Sequence, residues 1–317
     1  MKNMTKVGVI GCGKISVSHV NVFSDIKDSK IVAACDINGE NLKTVCEQTG
    51  AKGYSDYKEM LECEQLDLAL IALPHALHNE AVVACAEHGI DIFLEKPMGI
   101  STDDCRKMID VCQENDVMLW VGHPFRYVPA YVFAKELIAS GKLGKLVSFA
   151  ETRNINYFSD DRPRWFLTKK MSGGGIMMNL GAHSLDKLKF FSDSEISEIS
   201  GNIHMREGYD CEDSAQAFVR MKNGVTGLLN LIGHTNAKKN TISIYLTEGE
   251  IRIEGNKVWY CGKDGVFEEK ICEYEIMKYQ MRRVVEVLRN GTKKPDVDGE
   301  YGLDIVRAIK KLYGEEK

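Results

Sequence analysis

A glycine turn set between an apolar strand and a helix, close to the N-terminus, limits this chain to few folds. Lys6-Val7-Gly8-Val9-Ile10 reads as the strand, Gly11-Cys12-Gly13-Lys14-Ile15-Ser16 as the turn, and Lys14 to Ser24 as the helix. The first glycine permits a tight turn. The second lets the backbone approach a pyrophosphate seated on the positive end of the helix. Ser16, small at the third position, keeps helix and strand in contact. A dinucleotide is therefore expected at Gly11, Gly13, Lys14 and Ile15.

The same alternation continues. Ile31–Cys35, Leu66–Ala72, Ile90–Leu94 and Val117–Val121 read as strands, with helices over Asn38–Thr49, Asn79–His88 and Thr102–Asn115. Strands separated by helical stretches imply crossover connections and a parallel sheet covered on both faces, which explains why they are nearly all apolar. Asp36 ends the second strand, where an acid accepts hydrogen bonds from a ribose diol. No basic residue follows until Lys43, so a 2′-phosphate would meet repulsion; NAD is expected and NADP disfavoured. Glu95-Lys96-Pro97 follows the apolar run Ile90–Leu94, which places an ammonium group at the carboxyl end of a parallel strand, where such sheets bind ligands.

After Gly122 the pattern changes. A helix near Pro129–Ser140, a strand from Leu146, a run opened by Gly173-Gly174-Gly175 and several consecutive strands separated by Asn223-Gly224 and Glu248-Gly249 indicate an antiparallel sheet. Two helices, about Tyr274–Asn290 and Glu300–Tyr313, close the chain. The expected fold class is α/β: a dinucleotide-binding domain over 1–122, then an α+β domain over 123–317 with an open, mainly antiparallel sheet, whose C-terminal helix is able to return to the first domain.

Composition excludes several classes. A net charge of −5 over 317 residues argues against nucleic acid as a partner. No apolar stretch is long enough to span a bilayer, so no membrane partner is expected. The first strand begins too early to leave room for a signal peptide, and ten cysteines without a C-x-x-C pair read as reduced thiols of a cytoplasmic protein. His75 and His78 have no third ligand at suitable spacing, so no metal is expected.

Val7–Ser16, Pro74-x-x-x-His78, Glu95-Lys96-Pro97, Arg126 and Gly173-Gly174-Gly175…Gly181-x-His183-x-x-Asp186 resemble the pattern of the Gfo/Idh/MocA oxidoreductases. The resemblance implies a Rossmann domain and a substrate domain used for dimer or tetramer contacts. It implies NAD(P)-dependent oxidation of a secondary alcohol on a sugar, an inositol-like polyol or a sugar derivative. It places Lys96 on the reacting hydroxyl, His183 as acid/base, and the loop of Leu73, Pro74 and His78 over the cofactor together with Glu95. His123 and Arg126, after the last strand of the first domain, are expected substrate contacts. Trp165 is a candidate to pack near the nicotinamide or a sugar ring. The family commonly has Asp where this chain has Asn179, four residues before His183; Asn179 is placed with the catalytic and substrate-contacting residues. A glycosidase that retains NAD, or a non-enzymatic regulator that binds the dinucleotide as a signal, remain the alternatives within the same fold.

Overall fold

The computed structural model describes residues 4–273 and 276–316. One compact unit comprises the chain up to Gly122 together with Met277–Leu303; the other comprises His123–Ile276 and the residues from Asp304 on.

In the first unit β1 (Thr5–Ile10), α1 (Lys14–Phe23), β2 (Ser29–Cys35), α2 (Gly39–Thr49), β3 (Lys52–Tyr54), α3 (Tyr57–Cys63), β4 (Leu68–Ile71), α4 (His78–Glu87), β5 (Asp91–Glu95), α5 (Thr102–Glu114) and β6 (Leu119–Gly122) alternate. All strands pair parallel in the order β3-β2-β1-β4-β5-β6. The order in which strands are added reverses between β1 and β4, which makes the switch point beside which open α/β sheets bind ligands. Local chemistry sets the helix starts: Asn38 Oδ1 accepts from the Glu40 and Asn41 amides at α2, and Ser101 Oγ from the Asp104 amide at α5. The first turn of α1 has no side-chain cap. Every residue of β4 is fully buried, as a central parallel strand requires.

The second unit carries α6 (Pro129–Ala139), β7 (Leu146–Asn156), α7 (Lys169–Ser172), α8 (Ala182–Ser192), β8 (Ile196–Met205), β9 (Glu212–Met221), β10 (Thr226–Ile232), β11 (His234–Leu246), β12 (Gly249–Glu254), β13 (Lys257–Cys261) and β14 (Glu268–Ile271). Its sheet runs β14-β13-β12-β11-β7-β10-β9-β8 and is antiparallel except where β10 meets β7. Beneath it, Lys187 of α8 and Glu151 of β7 form a buried ion pair; burial pushes the Lys187 amine down and Glu151 opposes it. Then come α9 (Lys278–Asn290) and α10 (Gly299–Leu312).

Several expectations change. The second half is not one continuous stretch, because 277–303 belongs to the first unit: Val121 N–H donates to Val297 O, Arg106 pairs with Glu300, and Gly302 lies against Val121 and Met98. The division falls inside α10. What reads in sequence as one strand following Glu248-Gly249, over Ile251–Lys257, is a hairpin of β12 and β13 that turns at Gly255, whose φ of 59° suits glycine. The helix expected from Tyr274 starts at Lys278, and Tyr274 lies outside the described residues. β3 and α3 had no counterpart in the expected series, since a three-residue strand offers no periodicity to read.

Candidate functional site

In the first unit, β1 delivers the chain to Gly11, which adopts φ +89°; a Cβ there would stand 2.5 Å from the Ala72 carbonyl oxygen at the end of β4. Gly11 is thus demanded by the fold. Gly13 is not: its φ is −73° and nothing lies within 4 Å of where its Cβ would stand. That open space, ahead of the uncapped amides of α1, is a cradle a side chain would fill and a pyrophosphate can use. Lys14 and Ile15 follow in the first turn, with Ile15 exposed.

Asp36 follows β2 and faces the same turn. Its Oδ2 accepts from the Cys12 amide and its Oδ1 from the Asn38 amide, each at 2.7 Å. The carboxylate therefore shapes the glycine turn and the entry to α2 at once, and each oxygen retains a lone pair for a further donor. Ile37, beside it, is 95% exposed, an apolar surface that sequence reading passed over.

The segment after β5 is held from two directions. His19, on the core-facing stripe of α1 with Ser16, Val20 and Phe23, places Nε2 2.6 Å from Glu95 Oε1. Burial raises the Glu95 carboxyl, but the His19 hydrogen bond, the His19 charge and the Lys96 charge outweigh it and hold the group below the usual carboxylate range. Glu95 Oε2 also accepts from the Lys96 amide. The Lys96–Pro97 peptide is cis and Lys96 itself is half-buried.

From the other side, His78 is fully buried, with Nε2 2.9 Å from the Leu73 carbonyl and Nδ1 3.2 Å from that of Met98. Burial pushes its imidazole below its ordinary value, against those carbonyls. His78 thus clamps two main-chain segments, with both ring nitrogens facing carbonyls, and so fixes the loop of Leu73 and Pro74.

The second unit gathers a different set. Glu212, at the start of β9, accepts from the Gly175 and Met177 amides at 2.8 Å and from the Tyr313 hydroxyl at 2.6 Å. The glycines are explained by the same packing: a Cβ on Gly174 would meet Tyr313 and one on Gly175 the Glu212 backbone. From this anchored start a π-helical turn, Met177–Gly181, leads into α8. Such turns occur mostly as single insertions and often mark functional sites.

Asn179 sits in the π turn, buried, and lies by the Tyr157 hydroxyl. Burial drives that phenol well up, with the Arg162 charge and Asn179 pulling the other way. His183 presents its ring edge-on to Phe125 at 4.8 Å and to His123 at 6.3 Å. Asp186, fully buried on the next turn, accepts from Arg126 at 2.9 Å and lies 3.8 Å from His123 Nδ1. His123, Arg126 and His183 are therefore brought together about one carboxylate and one aromatic ring. Trp165 lies in a short turn of this unit, stacked on Phe166 at 3.7 Å.

His19, Glu212 and Tyr313 escaped the sequence reading. His19 left a signal: a titratable residue on the buried stripe of a helix requires a partner. Glu212 and Tyr313 left none, because their partners are distant in the chain.

An oxidoreductase-family model with an NAD-binding Rossmann fold, Gfo/Idh/MocA, matches residues 5–123, and the Gfo/Idh/MocA C-terminal domain model matches 131–252. A 2,7-anhydro-N-acetylneuraminate hydratase from Mediterraneibacter gnavus is 29% identical over 68% of this chain and 57% of its own length. A myo-inositol 2-dehydrogenase from Thermotoga maritima is 26% identical over 80% of this chain and 73% of its own. The chain spans 57% and 59% of the length of two of the curated relatives it matches. The crystal structure of the WlbA dehydrogenase from Bordetella pertussis, in complex with NADH and UDP-GlcNAcA, superposes with a TM-score of 0.84 at 24% identity, covering 99% of this chain and 96% of that one.

Proposed function

The chain belongs to the Gfo/Idh/MocA oxidoreductase family, and on that premise we propose that it is an NAD-dependent dehydrogenase of a secondary alcohol on a sugar, polyol or sugar derivative. The observation that carries the reading is the tie between His19 and Glu95: the helix that starts at the glycine turn also anchors the segment that presents Lys96. Cofactor cradle and candidate catalytic lysine are thereby fixed to one helix.

The residues present fit the cofactor. Gly13 leaves room for a pyrophosphate, the first turn of α1 offers uncapped amides, and Asp36 is placed for the ribose diol with no basic side chain beside it in sequence. Ile15, Leu73 and Pro74 complete the binding surface, and Glu95 supports it from beneath by holding the segment of Lys96. Bound NAD supplies the hydride acceptor. The Lys96 ammonium holds the reacting hydroxyl by a hydrogen bond, and His183 takes its proton as the carbinol C–H bond breaks. His123, Arg126 and Asn179 hold the substrate's other hydroxyls.

The presence of both Lys96 and His183 supports catalysis over a regulator. An NAD-retaining glycosidase is not favoured, since the relatives include dehydrogenases of inositols and of xylose. Exposed Phe218 and Leu228, paired on neighbouring strands, and exposed Tyr245 support a homo-oligomer contact on the open face of the second sheet. Among the described residues no helix is long and apolar enough to cross a membrane. Ten cysteines, none of them in a disulfide among the described residues, support a cytoplasmic protein.

The test is a screen of inositols, aldoses and sugar derivatives for NAD reduction, read at the NADH absorbance band. Reduction by at least one class is expected. Chemical change of a sugar with no net NADH would favour redox-neutral chemistry instead.

A further inference from the structure

We propose that His204, Asp213 and His234 form a binding site for a divalent first-row transition-metal ion. The three residues come from the end of β8, the start of β9 and the start of β11. A comparison of spacings, which weighs only His75 and His78, cannot bring them together.

Their donor atoms form a nearly equilateral triangle. His204 Nδ1 lies 3.1 Å from Asp213 Oδ1, His234 Nε2 lies 3.0 Å from the same oxygen, and the two nitrogens are 3.2 Å apart. Donors about 2.0–2.1 Å from a tetrahedral zinc lie roughly 3.3 Å from one another, so the triangle matches one face of that polyhedron within a few tenths of an ångström. Two imidazoles and one carboxylate are also the facial set that first-row divalent ions accept, with the remaining positions open.

Burial suits the purpose. The Asp213 side chain is fully buried, while those of His204 and His234 are 60% and 42% exposed, so an ion can enter and keep water on its outer face. Asp213 Oδ2 is taken by Arg206 Nε at 2.9 Å, which turns Oδ1 toward the imidazoles as an outer partner of a ligand should.

One contact must change. Arg206 Nη2 lies 3.1 Å from His234 Nδ1. A neutral His234 that binds an ion through Nε2 carries its proton on Nδ1, so Nη2 has to turn away while Nε stays on Oδ2. An ion seated here would join three strand ends immediately beside Glu212, the residue that anchors the start of the helix bearing Asn179 and His183.

The test is calorimetric titration of the dialysed, thiol-reduced protein with Zn²⁺. One ion per chain is expected, with affinity reduced about tenfold or more in His204→Ala and in His234→Ala, and further in the double variant. Zn²⁺ should raise the melting temperature of the parent and not of the double variant. Both histidines are exposed, and circular dichroism checks that the variants fold. No saturable binding by the parent, or equal binding by the double variant, would overturn the proposal; the second result would place the ion elsewhere on the chain.

Discussion

His19 Nε2 and Glu95 Oε1 stand 2.6 Å apart, a buried contact between the helix of the glycine turn and the strand that ends in Glu-Lys-Pro. Glu95 is depressed below the usual carboxylate range only because His19 and Lys96 outweigh its burial. Such a group stabilises the fold above its unfolded-state value, and that stability is lost as pH falls through the folded one.

His19→Ala should therefore destabilise the protein by about 3 kcal/mol near neutral pH, the scale of breaking a buried pair. With the partner gone, burial raises Glu95, so the gap between variant and parent should narrow as pH falls into and below the ordinary carboxylate range. Denaturant titrations at several pH values measure this. A gap that does not vary with pH would show that His19 acts by packing alone.

Asp36→Ala should shrink the preference for NAD over NADP by about tenfold, the scale of a charge-assisted hydrogen bond. The Cys12 and Asn38 amides lose their acceptor as well, so binding of both nucleotides should weaken somewhat. Titration of each nucleotide against parent and variant decides it. Equal affinity of the parent for NADP would contradict the ribose role.

Lys96→Met should leave NAD affinity within a few-fold and the fold intact. Turnover should fall by about 10²–10⁴, the range for loss of one acid/base group. Near-normal turnover with saturating substrate would remove Lys96 from the chemistry.

Asn179→Asp adds a charge one turn before His183. A carboxylate nearby favours the imidazolium, and oxidation needs the neutral base, so the acidic limb of the kcat/KM profile should move to higher pH. An unmoved limb together with loss of turnover in His183→Ala would assign Asn179 to ligand or to Tyr157, by which it lies. Intact turnover in His183→Ala would place the base elsewhere.

Apart from β3 and α3, the order of strands and helices up to Gly122 was legible because buried parallel strands are short apolar runs with glycine or acidic punctuation, as at Gly11 and Asp36. The glycine run at 173–175 was legible as a helix start, but not the reason for it. Glu212 and Tyr313, which make glycine necessary there, come from β9 and from the turn just after the last helix. The π turn at Met177–Gly181 was hidden too, since its residues fit an ordinary helical pattern. His78 was legible as part of a motif, but not the clamp its ring makes between two carbonyls. Side-chain identity announces chemistry; only packing shows which atoms remain for it.

The most direct measurement uses a substrate found in the screen, deuterated at its carbinol carbon. After turnover, the NADH released should carry one deuterium on the nicotinamide for each ketone or lactone formed, and Lys96→Met should suppress both in parallel. Altered sugar with no deuterium in the released nucleotide would contradict a dehydrogenase.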